Sequence, residues 1–172
     1  MLVSPHSQYP EGTLQRTGSS SKRRLLPLPI TTPPPSRLAQ NLAMHSLQVC
    51  EVRKDGNCLF HSLAKCMEDI KIDHRRVREL LIEYIQENAE HFEADILASG
   101  YLSVGDYCAR MARDGEWGDA IMLQAFILMT NVNVRLFTDY GFSDLNPGGH
   151  QNVALIQHHG HYQPAIPINS SH

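Results

Sequence analysis

Asp55-Gly56-Asn57-Cys58-Leu59-Phe60-His61-Ser62 is the stretch on which the reading of this chain turns. Lys54-Asp55-Gly56 reads as a turn. Behind it Leu59, Leu63, Cys66 and Met67 recur at the i, i+4, i+7, i+8 spacing of one helical face. Cys58 therefore stands in the first turn of a predicted helix, where backbone N–H groups have no intrahelical partner. Such groups stabilise a thiolate and can hold the oxyanion of a tetrahedral intermediate, and Gly56 allows the backbone to come close.

Outward from that helix the pattern is periodic in both directions. Leu47, Val49 and Glu51 alternate with Gln48, Cys50 and Val52, which predicts a short strand before the turn. After it, Asp73 is a candidate N-cap for a helix carrying Val77, Leu80, Leu81, Tyr84 and Ile85 on one face. The charged residues of that segment (Arg75, Arg76, Arg78, Glu79, Glu83 and Glu87) read as its solvated face. Shorter helices are expected over Phe92–Ala98 and Val104–Ala112, and another from Asp119 with Met122, Ala125, Phe126 and Met129 aligned. Then the period changes to two. Strands are expected at Val132–Phe137, Val153–Gln157 and His161–Ile166, the last pushed toward a sheet edge by Pro164. Residues 139–151 read as a Gly/Asn/Pro loop. The fold class is α+β, a small sheet with flanking helices in one domain of about 120 residues.

Composition divides the 172-residue chain in two. Residues 1–45 hold seven of the ten prolines and five basic residues against one acid, a charge of +4. The rest holds 10 basic and 17 acidic residues, a charge of −7. The expected organisation is a disordered Pro/Ser-rich basic tail at 1–45, a catalytic domain at 46–168 and a short C-terminal tail at 169–172. An acidic body argues against a nucleic-acid partner. No apolar run reaches the ~18 residues that span a bilayer, and no signal peptide is evident, so a soluble cytoplasmic protein is expected, in its own cell or in a host's. Cys50, Cys58, Cys66 and Cys108 form no CxxC pair and match no zinc-finger spacing.

A nucleophilic cysteine needs a base, and His161, opening the last predicted strand after the turn Gly160, is the best candidate. His61 lies too near Cys58 in sequence to serve easily. Spacing alone leaves open a core cysteine and a surface histidine. His158 and His159 precede His161, but no third well-spaced ligand is evident and no metal site is expected.

Three segments resemble, in order and spacing, the ovarian-tumour (OTU) family of papain-like cysteine proteases, which are deubiquitinases. Asp55 through Ser62 resembles the nucleophile motif. Glu116-Trp117-Gly118-Asp119 followed by Leu123-Gln124-Ala125 resembles the Trp-Gly segment opening the helix beside the site. Leu155-Ile156-Gln157, a turn and His161-Tyr162 resemble the closing strands with the catalytic His-aromatic pair. The resemblance covers roughly Leu47 to Ile166.

It implies a papain-like fold and hydrolysis of the isopeptide bond after the C-terminal glycine of ubiquitin, without metal or organic cofactor, by a monomer whose partner is ubiquitin or polyubiquitin. Cys58 would attack and His161 would shuttle the proton, while Asp55 would shape the turn and help stabilise the oxyanion. Gly56 and Asn57 are expected at the oxyanion site, and Trp117 lines a substrate groove or fills the core. Two residues after the histidine the family usually carries Asp or Asn, and here stands Gln163. Either Gln163 orients the imidazole, or Asn152 or Asp144 does, or activity is weak. A weak or inactive ubiquitin-binding module and a protease for another ubiquitin-like modifier are the alternative functions. Glu116, Asp119, Asp114 and Asp106 are candidates for an acidic groove that would attract the arginines of a ubiquitin tail.

Overall fold

A computed structural model describes residues 35–67 and 70–168. The chain runs α1 (Arg37–Met44), β1 (Leu47–Val49), α2 (Cys58–Cys66), α3 (His74–Glu87), α4 (Ala89–Ala98), α5 (Val104–Met111) and α6 (Ala120–Thr130). It then forms β2 (Asn133–Thr138), β3 (Gly141–Asp144), β4 (Asn152–His158) and β5 (His161–Pro167). The α+β class expected from the periodicity holds.

The helices begin where their caps place them. Asp73 accepts the Arg76 N–H at 2.9 Å and opens α3. Asp119 accepts the N–H groups of Ile121 and Met122 at 3.0 and 3.1 Å and opens α6. Each bond satisfies a donor that the helix itself leaves unpaired. Asp119 also accepts the Tyr107 hydroxyl at 2.8 Å, which joins α6 to α5.

Among the described residues the strands form one mixed sheet in the order β1-β5-β4-β2-β3. β4 runs parallel to β2, with Phe137 opposite Ile156, and antiparallel to β5, with His158 opposite His161. Strand alternation divides the side chains between two faces. Val134, Val153 and Leu155 join Leu59, Phe60, Leu63, Val77, Leu81 and Phe126 in the main core beneath the helices. Phe137, Ile156 and Ala165 face the other way and meet Leu42 of α1.

That second cluster moves a boundary. Arg37–Met44 is a helix packed on the sheet, capped by the Ser36 hydroxyl, and belongs to the body rather than to a disordered tail ending at 45. The Pro-rich, basic composition of residues 1–45 taken together conceals this short amphipathic segment, in which Leu42 is buried over an apolar sheet face and Leu38 packs on the same cluster. Expectations for residues 1–34 and 169–172 lie outside the described residues.

Two other expectations change. The loop at 139–151 contains β3, paired with β2 from Arg135–Asp144 to Thr138–Gly141 and fastened by the Arg135–Asp144 ion pair at 2.8 Å. And β5 is not an edge strand, since β1 covers it from Leu47–Pro167 to Val49–Ala165. Pro164 is tolerated because its carbonyl, the one ladder group proline retains, accepts the Cys50 N–H at 2.9 Å.

Candidate functional site

Cys58 is the first residue of α2 and is half-buried. The first intrahelical bond runs from the His61 N–H to the Asn57 carbonyl at 2.9 Å, so the N–H groups of Cys58, Leu59 and Phe60 stand ahead of the ladder. α2 packs along β5, whose first residue is His161. Burial, with smaller contributions from Asp119 and Cys58, pushes the Tyr162 phenol up. For His161, burial and the neighbouring Lys54 lower the imidazole pKa against an opposing pull from Glu51. Its Nε2 is shielded from solvent and has no hydrogen-bond partner among the described residues.

The turn before Cys58 is built differently from expectation. Asp55 Oδ1 accepts the Asn57 N–H at 2.9 Å, and Asp55 Oδ2 lies 2.9 Å from His61 Nε2. Partial burial pushes this carboxyl up, but the His61 hydrogen bond, the Asn57 N–H and the His61 charge outweigh it and hold the pKa at about 2. An ionised Asp55 therefore holds the turn through the Asn57 N–H. Its side chain has no proton to give an oxyanion, so any help there comes from backbone N–H groups.

Asn57 is 3% exposed and is committed to the scaffold. Its Oδ1 accepts from Arg78 Nη2 at 2.6 Å and from the Gly115 N–H at 3.1 Å, while its Nδ2 donates to Asp114 at 3.1 Å. With its own N–H taken by Asp55, Asn57 positions the loop and is not a free oxyanion donor. Gly56 is likewise required by packing. At φ +84° an added Cβ would sit 2.0 Å from the Gly115 carbonyl oxygen, so two turns meet back to back there.

Arg78, assigned from sequence to a solvated face, is buried at the centre of this arrangement. Besides Asn57 it donates to the carbonyls of Met111 at 2.6 Å and Glu116 at 2.7 Å, and its guanidinium lies 3.8 Å over the Phe60 ring. The signal was present in the helical spacing. Residues 78, 81 and 85 fall on one stripe, so Arg78 shares the face of Leu81 and Ile85.

Trp117 is not a core residue. It is 66% exposed, and its ring lies 3.3 Å from where a Cβ on Gly160 would stand, next to His161. The four acids expected to line a groove are engaged internally. Asp119 caps α6, Asp114 holds Asn57, Glu116 pairs with Arg110 at 2.8 Å, and Asp106 accepts the Leu102 N–H at 3.3 Å.

Two alternatives for orienting His161 are removed by position. Asp144 is held by Arg135, and Asn152 accepts from Asn133 at 2.8 Å at the start of β4. His161 pairs with His158 at the other end of that strand, ~20 Å away at the usual strand rise. Gln163 remains, and it has a partner that sequence reading missed: its Nε2 donates to Glu51 Oε2 at 2.8 Å.

Residues 53–170 match the family model described as OTU-like cysteine protease. The chain is 33% identical over 99 residues to the OVARIAN TUMOR DOMAIN-containing deubiquitinating enzyme 7 of Arabidopsis thaliana, covering 58% of this chain and 26% of that protein. A solved structure of the OTUD1 OTU domain superposes with a TM-score of 0.62 at 26% identity, covering 74% of this chain and 90% of that one. The Hazara virus OTU bound to ubiquitin shares the fold, with a TM-score of 0.59 at 22% identity over 74% of this chain and 85% of that one. The chain spans about a quarter to a third of the length of the curated relatives it matches first.

Proposed function

Because the chain belongs to the OTU-like cysteine protease family, we propose that it is a thiol-dependent deubiquitinase, hydrolysing the isopeptide bond after the C-terminal glycine of ubiquitin. The observation that carries this reading is the packing of α2, with Cys58 at its N-terminus, along β5, with His161 at its start. Relatives named as deubiquitinating enzymes support the substrate class.

In this reading His161 takes the Cys58 proton and the thiolate attacks the glycine carbonyl. The oxyanion is held by the unpaired N–H groups at the start of α2. His161 then returns the proton to the departing lysine amine, and water hydrolyses the thioester. Gln163 is the positioning residue. A carboxylate only accepts, so Glu51 turns the amide's NH2 toward itself and leaves the Gln163 carbonyl oxygen as the acceptor for an imidazole N–H. Glu51 also supplies, through the amide, the negative charge that the usual aspartate would bring.

The unpartnered Nε2 of His161 favours a second reading, a ubiquitin-binding module with little or no turnover. A ubiquitin probe with a C-terminal electrophile separates the two. The deubiquitinase reading expects a covalent adduct that Cys58→Ala abolishes. Binding without an adduct supports the inactive module, and neither binding nor adduct removes ubiquitin as the substrate.

A further inference from the structure

The parallel register of β2 and β4 does something the sequence conceals. Phe137 stands opposite Ile156, so continuing the two strands by two residues brings Asp139 beside His158. His158 Nδ1 lies 2.9 Å from both carboxylate oxygens of Asp139. His159, the next residue, stacks its ring on that of His158 with centroids 3.9 Å apart and planes 30° apart. One ligand atom from each of the three side chains falls within 4.8 Å of the other two. Sequence alone supplied two adjacent histidines and no third ligand; the sheet supplies the carboxylate.

We propose that Asp139, His158 and His159 form a binding site for Zn2+ that ties the β2–β3 turn to the β4–β5 turn. Two imidazoles and a carboxylate are a donor set that suits zinc, with water completing the tetrahedron. At zinc's bond lengths of about 2.0–2.2 Å, neighbouring ligand atoms of a tetrahedron lie about 3.4 Å apart. The His158–Asp139 pair needs to open by about half an ångström from its hydrogen-bonded distance to reach this. Both side chains are 41% exposed and His159 is exposed, so rotation about their own bonds provides the movement without disturbing the core. Binding at His158 Nδ1 replaces its direct contact with Asp139 and leaves an open position for solvent. The site lies on the turn that carries Gly160 against Trp117 and leads into His161, so the metal restrains the segment from which His161 projects.

The test uses the full chain carrying Cys58→Ala, which removes a sulfur ligand that would compete for the metal. Titration with Co2+ is expected to give the visible bands of a tetrahedral ion at one equivalent, and Zn2+ is expected to displace them. His158→Asn, His159→Asn and Asp139→Asn each lower the affinity by about tenfold or more. A parent without tetrahedral bands, or variants that bind as the parent does, would overturn the proposal. Imidazole resonances in the unsubstituted-turn protein give a readout that needs no further variant. Zn2+ is expected to shift His158 and His159 while leaving His45 and His91 in place, and the reverse pattern assigns the metal elsewhere.

Discussion

The Gln163 amide donates a hydrogen bond to the Glu51 carboxylate at 2.8 Å, across 112 positions of sequence. Glu51 follows β1, and Gln163 lies in β5, so the pairing of those two strands creates the contact. If the pair positions His161, Glu51→Ala and Gln163→Ala each lower kcat for a ubiquitin substrate roughly tenfold, the scale of one charge-assisted hydrogen bond. KM should stay unchanged. The double variant should lose no more than either single one, because the two residues act through one contact. Wild-type kcat in both single variants would remove the pair from the mechanism.

Arg78 makes the strongest stability prediction. Replacing it with Met leaves the Asn57 side chain and the carbonyls of Met111 and Glu116 without their buried donor. The expected loss is about 3 kcal/mol in urea unfolding. Arg78→Lys should recover little of it, since a single ammonium cannot reproduce a planar fork reaching three acceptors. A lysine variant as stable as the parent would contradict this account.

Gly56→Ala tests the back-to-back turns. The positive φ and the encounter with the Gly115 carbonyl both oppose a Cβ. The strained backbone alone costs about 1–2 kcal/mol, and the clash adds to it. Thermal unfolding should show a clear drop in Tm. An unchanged Tm would mean that the two turns separate freely.

Trp117→Ala should divide binding from stability. A largely exposed ring contributes little to the fold, so unfolding should move by less than about 1 kcal/mol. If the ring lines the approach to His161, KM for a ubiquitin substrate rises several-fold while kcat changes less. Steady-state kinetics on the folded variant decides it.

Asp55 gives a pH dependence of defined sign. Its carboxyl is held at about 2, below the ordinary 3.8, so the folded state favours the ionised form. Its contribution to stability is present above about pH 4 and is lost as the pH falls through about 2. The stability gap between the parent and Asp55→Asn should therefore narrow between pH 4 and pH 2, followed by urea unfolding across that range. A gap that widens toward acid would reverse the assignment.

What the sequence determined by itself was local. The helix starts at Asp73 and Asp119, the turn before Cys58, and the change of period from helix to strand all depend on bonds and spacings a few residues long. So does the burial of Arg78, had the 78-81-85 stripe been followed. The tertiary structure decided what depends on strand order. Only β1 beside β5 brings Glu51 to Gln163, and only β2 beside β4 brings Asp139 to His158. Placing Asn152 and Asp144 away from His161 required the same register. Helix α1 was hidden for a related reason: it is only eight residues long beside a Pro-rich stretch, and the apolar face that holds Leu42 is assembled from β2, β4 and β5. Side-chain partnerships across a sheet are set by which strands become neighbours, and that is decided by the packing of the whole chain rather than by any one segment of it.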